Sequence, residues 1–364
     1  MESKPSPPRR RRIFWFIFAV SLLINVSILA WYLFLPHSGL VETRYIGEAK
    51  AKDKIAIVRV TGVISDATLA WPLHQLQQAA VDPHVKAIVL RIDSPGGTIS
   101  ASEELYRCIV DTRDNTGRRW TGSGAKPIVT SMGGLAASGG YYIACAGHPI
   151  LAEKTTITGS IGVFVALPNA AEFAEKHGIK VELVKAGGIK ASGSMFQSLS
   201  PLERQPWQDT VDAAYDQFLS VIHSERPALT ADRLKSELVI DRMVAERDSK
   251  GNLGKGTVRY TRIRADGGTF TPAQALEFGL IDEVADLTTA VKRASEQAKL
   301  TNYHAFVYER SKTWSEQLLG FDLGVKQSPT IPDLSAALTP RLWYLAPNSE
   351  MAGYGTISLN PMLP

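Results

Sequence analysis

Three glycine-rich runs hold the residues best suited to chemistry in this 364-residue chain. Asp93-Ser94-Pro95-Gly96-Gly97 closes the apolar run 88–92, and Ser131-Met132-Gly133-Gly134-Leu135-Ala136-Ala137-Ser138-Gly139-Gly140-Tyr141-Tyr142 follows another. Paired glycines let backbone N–H groups face a ligand with no Cβ in the way. The first run also fits an ordinary tight turn. In the second, Ser138 stands at a strand-to-helix turn among residues too small to cover it. There the helix N-terminal field favours developing negative charge, and the Gly139 N–H can point at an oxyanion. The same serine also reads as a helix N-cap beside a close-packing glycine pair. The esterase elbow G-x-S-x-G is absent, because position 136 is alanine.

A serine nucleophile needs a base. His148 is nearest in sequence, but ten residues along a helix place it about 15 Å away along the axis. His37, His74, His84, His177, His223 and His304 stand in no recognisable motif. Lysine is the other base for serine, provided burial favours its neutral form. The third run, Lys185-Ala186-Gly187-Gly188-Ile189-Lys190-Ala191-Ser192-Gly193, offers a lysine among small residues. The hydroxyl-rich Thr155-Thr156-Ile157-Thr158-Gly159-Ser160-Ile161-Gly162-Val163 lies between, where one hydroxyl could hold an ammonium. The alternative for Lys190 is a solvated loop lysine.

Positioning these runs requires alternating elements. Residues 55–60, 87–92, 127–132, 150–152 and 179–184 read as strands. Residues 69–80, 99–110, 138–146, 169–177 and 201–223 read as helices, and Thr271-Pro272 opens a short helix that Gly279 closes. Such alternation predicts a mainly parallel α/β sheet with helical crossovers, whose sites lie at the carboxyl ends of the strands.

The run 93–97, the block 131–142, Thr158-Gly159-Ser160-Ile161-Gly162-Val163, the loop 185–190 and the segment 270–283 with its Ala-Leu-Glu-Phe-Gly-Leu-Ile-Asp-Glu resemble, in this order, the signal peptide peptidase A (protease IV) family. The resemblance covers about residues 54–298. It implies a crotonase/ClpP-like spiral of β-β-α units and a serine-lysine dyad, with Ser138 as nucleophile and Lys190 as general base. It further implies Ser160 as the hydroxyl that orients the lysine, and Gly97 and Gly139 as oxyanion donors, with no metal or cofactor. The implied partners are peptide substrates, signal peptide remnants among them, and further copies of the chain in a homo-oligomer, an octamer in short members. Residues 246–268 depart from the family pattern and the extension 299–364 is not matched. Two other functions stand beside the peptidase: a crotonase-type acyl-CoA enzyme, and a catalytically silent membrane scaffold of peptidase descent.

Composition narrows the classes further. Hydrophobic residues at 45% and charged residues at 21% are ordinary for a folded chain. The formal net charge of +4 is carried entirely by residues 1–12, leaving no basic excess for a nucleic-acid face. Cys108 and Cys145 lie in apolar surroundings and read as buried free thiols, with one disulfide as the alternative. Residues 13–35 carry no charge and follow four arginines, and at 1.5 Å each would reach about 34 Å. This pattern predicts a single-pass anchor in the lipid of the bacterial inner (cytoplasmic) membrane, with the basic tail 1–12 cytoplasmic. Beyond a linker at 36–53, the peptidase domain 54–298 is then expected to be periplasmic or extracytoplasmic; a cleaved signal peptide is the competing reading.

Overall fold

The computed structural model describes residues 9–34, 40–247, 253–311 and 342–345. Helix α1 (Arg9–Phe34) belongs to a separate compact unit. Among the described residues no helix is long and apolar enough to cross a membrane. The expected inner-membrane anchor and extracytoplasmic location are therefore corrected. The apolar stretch of α1 is interrupted by Ser21, Asn25 and Ser27. Within it Asn25 donates to the Ser21 carbonyl oxygen at 2.7 Å. The expected tail 1–12 lies largely outside the described residues, as does most of the extension 299–364.

The second unit is built on parallel strands. After β1 (Leu40–Gly47) and β2 (Asp53–Thr61), α2 (Asp66–Val81) crosses to β3 (Val85–Ser94). The short β4 (Gly96–Thr98) leads into α3 (Ile99–Asp114), which crosses to β5 (Ile128–Ala137). Then come α4 (Gly139–Ala144), β6 (Ile150–Ala152), β7 (Ile157–Gly159), β8 (Phe164–Val165), α5 (Ala171–Lys176) and α6 (Pro201–Glu225). A hairpin of β9 (Glu237–Arg247) and β10 (Leu253–Ile263) follows α7 (Ala231–Lys235) and occupies most of the stretch that departs from the family pattern. β11 (Thr269–Phe270), α8 (Pro272–Glu277), β12 (Glu283–Val284), α9 (Leu287–Gln297), β13 (Tyr303–Arg310) and β14 (Leu342–Leu345) complete the described elements.

The large sheet runs β1-β13-β2-β3-β5-β6-β12, with β7 also on β5 and β11 on β7. Pairs β13-β2, β2-β3, β3-β5, β5-β6, β5-β7 and β12-β6 are parallel, as the alternation predicted. Both faces are covered, so the strands read as near-continuous apolar runs rather than alternating ones. Ile55, Ile57, Ala87, Val89 and Val129 pack on Ala290, Val291 and Ala294 of α9. The intervening Ala56, Val58, Ile88 and Leu90 are equally buried and by strand alternation face the opposite side. Cys108 and Cys145 are free, and burial raises their thiol pKa to about 11 and about 12.

Two expectations differ from the structure. β5 continues to Ala137 instead of ending at 132, so it delivers Ser138 directly. Residues 179–184 form no strand: Ile179, Val181, Leu183 and Val184 are exposed, and no neighbouring strand among the described residues pairs with them.

Candidate active site

Ser138 occupies the one-residue joint between β5 and α4. Its φ of 54° and ψ of −118° lie where only glycine is comfortable, a conformation that costs about 1–3 kcal/mol. Hydrogen bonds on both sides hold it there. Its N–H donates to the Gly159 carbonyl oxygen at 2.7 Å, and its carbonyl accepts from Tyr142 N at 2.9 Å. The side chain is fully buried, and its Oγ has no hydrogen-bond partner. The N-cap alternative is thereby excluded, since no side-chain cap bond forms.

The turn is tied to the sheet by groups upstream. Asp93 Oδ1 accepts from Leu135 N at 3.0 Å, and Arg91 donates to Ser131 Oγ and the Met132 carbonyl. Thr156 Oγ1 and Thr158 Oγ1 donate to the carbonyls of Gly133 and Ala136 at 2.6 and 2.7 Å. Below the turn Tyr142 bonds Glu103 and stacks edge-on against Tyr106 and Phe218. Tyr141 donates to the Leu280 carbonyl at 2.8 Å.

The glycines explain the packing. A Cβ at Gly140 would stand 2.7 Å from the Ser94 carbonyl oxygen, and one at Gly139 would stand 2.6 Å from Ser102 Oγ and 3.1 Å from Gly97 N. The two glycine runs therefore meet, bringing the Gly97 and Gly139 backbones together beside Ser138. Gly97 has a contact of its own, because a Cβ there would run into the Ile64 carbonyl. Ile64 accepts from Thr98 N at 2.9 Å and donates to the Gly96 carbonyl at 2.8 Å, so β4 is bonded to it along one edge.

Ser160 follows β7 with φ 52° and is buried. Its Oγ donates to the Gly267 carbonyl at 3.1 Å, and its N–H to Gly268 at 2.8 Å. The hydroxyl oxygen retains acceptor capacity. Ser138 and Ser160 are thus linked through Gly159. Lys190 is placed differently. It is exposed on the turn-rich segment between α5 and α6, and its ammonium makes no hydrogen bond or ion pair among the described residues. That segment rests on α6, where Trp207 donates to Ser192 Oγ at 2.8 Å, Ser192 donates to the Glu203 carbonyl, and Lys185 lies 4.0 Å from Glu203. Within one chain the structure brings together Ser138, Gly139, Gly97 and Ser160, and leaves Lys190 apart.

Histidine does not fill the gap. His148 bonds Glu225 at 3.2 Å, and Ser138 Oγ accepts nothing. Ser102 was not legible as a site residue. Its buried Oγ also lacks a partner and abuts Gly139, and a serine inside an amphipathic helix carries no signal of that placement.

Comparison with known proteins adds to this geometry. The model of peptidase family S49 matches residues 122–237, which contain Ser138, Ser160 and Lys190. Protease 4 of Salmonella typhi is 30% identical over 278 residues, which is 76% of this chain and 39% of that protein. The protein slr0021 of Synechocystis sp. is 31% identical over 253 residues, covering 70% of this chain and 77% of the relative. The chloroplastic serine protease SPPA of Arabidopsis thaliana is 29% identical over 276 residues, covering 72% of this chain and 35% of that protein. The chain thus spans well under half the length of the Salmonella and Arabidopsis proteins. A sheet rich in parallel strands, an elbow serine between glycine runs, and relatives aligned across both place this chain in peptidase family S49, the signal peptide peptidase A (protease IV) family.

Proposed function

We propose that the chain is a serine endopeptidase with Ser138 as nucleophile, Lys190 as general base, Ser160 as the hydroxyl orienting that lysine, and Gly97 and Gly139 as oxyanion donors. The observation that carries this reading is the buried, unpartnered Ser138 Oγ on a strained turn. An orphaned buried hydroxyl and a costly backbone angle at one residue call for a reason other than folding. Bond formation between Oγ and the scissile carbonyl carbon transfers the serine proton to the neutral Lys190 amine, and the carbonyl oxygen becomes an oxyanion facing the Gly97 and Gly139 N–H groups. Collapse breaks the C–N bond and the ammonium returns the proton to the leaving amine, giving acyl-Ser138; water repeats the sequence and releases the acid.

Two features support a Lys190 supplied by another copy of the chain: its exposure here, and the exposed apolar residues 179–184 beside it. The assembly proposed is a head-to-tail ring, an octamer, in which burial at the subunit boundary would desolvate the amine. The substrates are apolar peptides, signal peptide remnants among them. A phosphonylating probe for active-site serines should label the wild type at Ser138, and Ser138→Ala should lose both label and peptidase activity. Full activity in Ser138→Ala would overturn the assignment.

A further inference from the structure

Four buried side-chain N or O atoms among the described residues have no hydrogen-bond partner, and two of them, Ser138 Oγ and Ser102 Oγ, stand beside Gly139. Ser102 is fully buried one turn into α3, the helix that Thr98 caps directly after Gly97. A serine or threonine inside a helix commonly bonds back to a carbonyl of the preceding turn. Thr112 does so in the same helix, donating to the Cys108 carbonyl at 2.8 Å. Ser102 Oγ makes no such bond. Alanine would fill the same space with no polar atom to satisfy, so folding gives no reason for the hydroxyl.

Gly139 shows where that hydroxyl acts. In a helix the N–H and the Cα–Cβ bond of a residue both lean toward the preceding turn. At helical φ the place of a Cβ therefore lies on the side to which the amide points. A Cβ at Gly139, the first residue of α4, would stand 2.6 Å from Ser102 Oγ and 3.1 Å from Gly97 N. One hydroxyl and two amides thus gather in one small region next to Ser138. α3 is held there from two sides: Ala101 N donates to Thr98 Oγ1 at 3.4 Å, and Tyr142 donates to Glu103, the residue after Ser102.

We infer that Ser102 is a third oxyanion donor, whose hydroxyl donates to the oxygen of the scissile carbonyl alongside the Gly97 and Gly139 N–H groups. This rests on the peptidase reading of Ser138. The hydroxyl bonds nothing in the folded chain, so its proton is free to turn toward the oxygen as charge gathers there. A bond made only at that stage lowers the barrier without tightening the binding of substrate.

Ser102→Ala in the full chain tests the assignment. Expected is a kcat about 100-fold lower, the loss typical of one oxyanion donor, with KM within about twofold of wild type. The Ki of a peptide aldehyde, whose adduct with Ser138 carries the same oxyanion, should rise by the same factor of about 100. The urea midpoint should hold or rise, since a buried hydroxyl without a partner is removed. Wild-type kcat overturns the assignment, and so does a loss of kcat with the aldehyde Ki unchanged. A raised KM with a lowered urea midpoint also overturns it, because that is the mark of a residue that only packs α3. Failure of the peptidase reading shows separately, as activity that survives Ser138→Ala or as a wild type that does not bind the aldehyde.

Discussion

Ser138 donates its backbone N–H to the carbonyl oxygen of Gly159 at 2.7 Å. One hydrogen bond thus fixes the elbow to the strand end that presents Ser160, and the two serines, with φ of 54° and 52°, are each bent out of the ordinary backbone regions. The cost of such a joint can be measured.

Ser138→Gly should raise stability while abolishing peptidase activity. Glycine adopts the elbow angles freely and removes a buried hydroxyl that bonds nothing, so a gain of about 1–3 kcal/mol is expected. Urea denaturation of the two proteins checks it; a less stable glycine variant would show that the elbow is not strained.

Gly97→Ala should be damaging in both respects. The added methyl meets the Ile64 carbonyl, so β4 must shift off its bonded neighbour and carry its amide away from the reacting oxygen. Loss of one oxyanion donor lowers kcat by about 100-fold to 1,000-fold. Wild-type kcat in a folded Gly97→Ala enzyme would remove Gly97 from the oxyanion role.

Co-assembly of Ser138→Ala chains with Lys190→Ala chains, each inactive alone, should restore activity. In a head-to-tail ring, each site needs one ordered pair of neighbours, so random mixing rebuilds about a quarter of the sites. No recovery in mixed rings shown to form would place both residues in one protomer.

Acid should weaken the fold through Glu225. Burial opposes its ionisation, but hydrogen bonds from His148, Arg113 and Tyr106 outweigh that and bring its pKa from 4.5 to about 2. A depressed folded-state value means the stabilisation is complete above pH 4.5 and is lost as pH falls toward 2, amounting to about 2–3 kcal/mol. Glu225→Gln should show a correspondingly flatter dependence between pH 4.5 and 2. Parallel curves for the two proteins would refute the linkage.

The sequence by itself determined the parallel α/β core, the place of Ser138 at a strand-to-helix joint and the two glycine runs, because burial periodicity and glycine's missing Cβ are properties of local residue order. β2, β3 and β6 lie where their apolar runs predicted, as do the capped helices α6 and α8. Local order misread residues 179–184, whose pattern is that of a strand but which find no partner edge among the described residues. It also made an anchor of residues 13–35, whereas no helix among the described residues is long and apolar enough to cross a membrane. Only the tertiary structure decided that Gly97 and Gly139 face each other, that Ser138 Oγ is left without a partner, that Lys190 stands apart, and that β14 lies across β4. Each of these is a contact between residues distant in sequence. Such contacts are fixed by how the sheet packs, and no single segment encodes that.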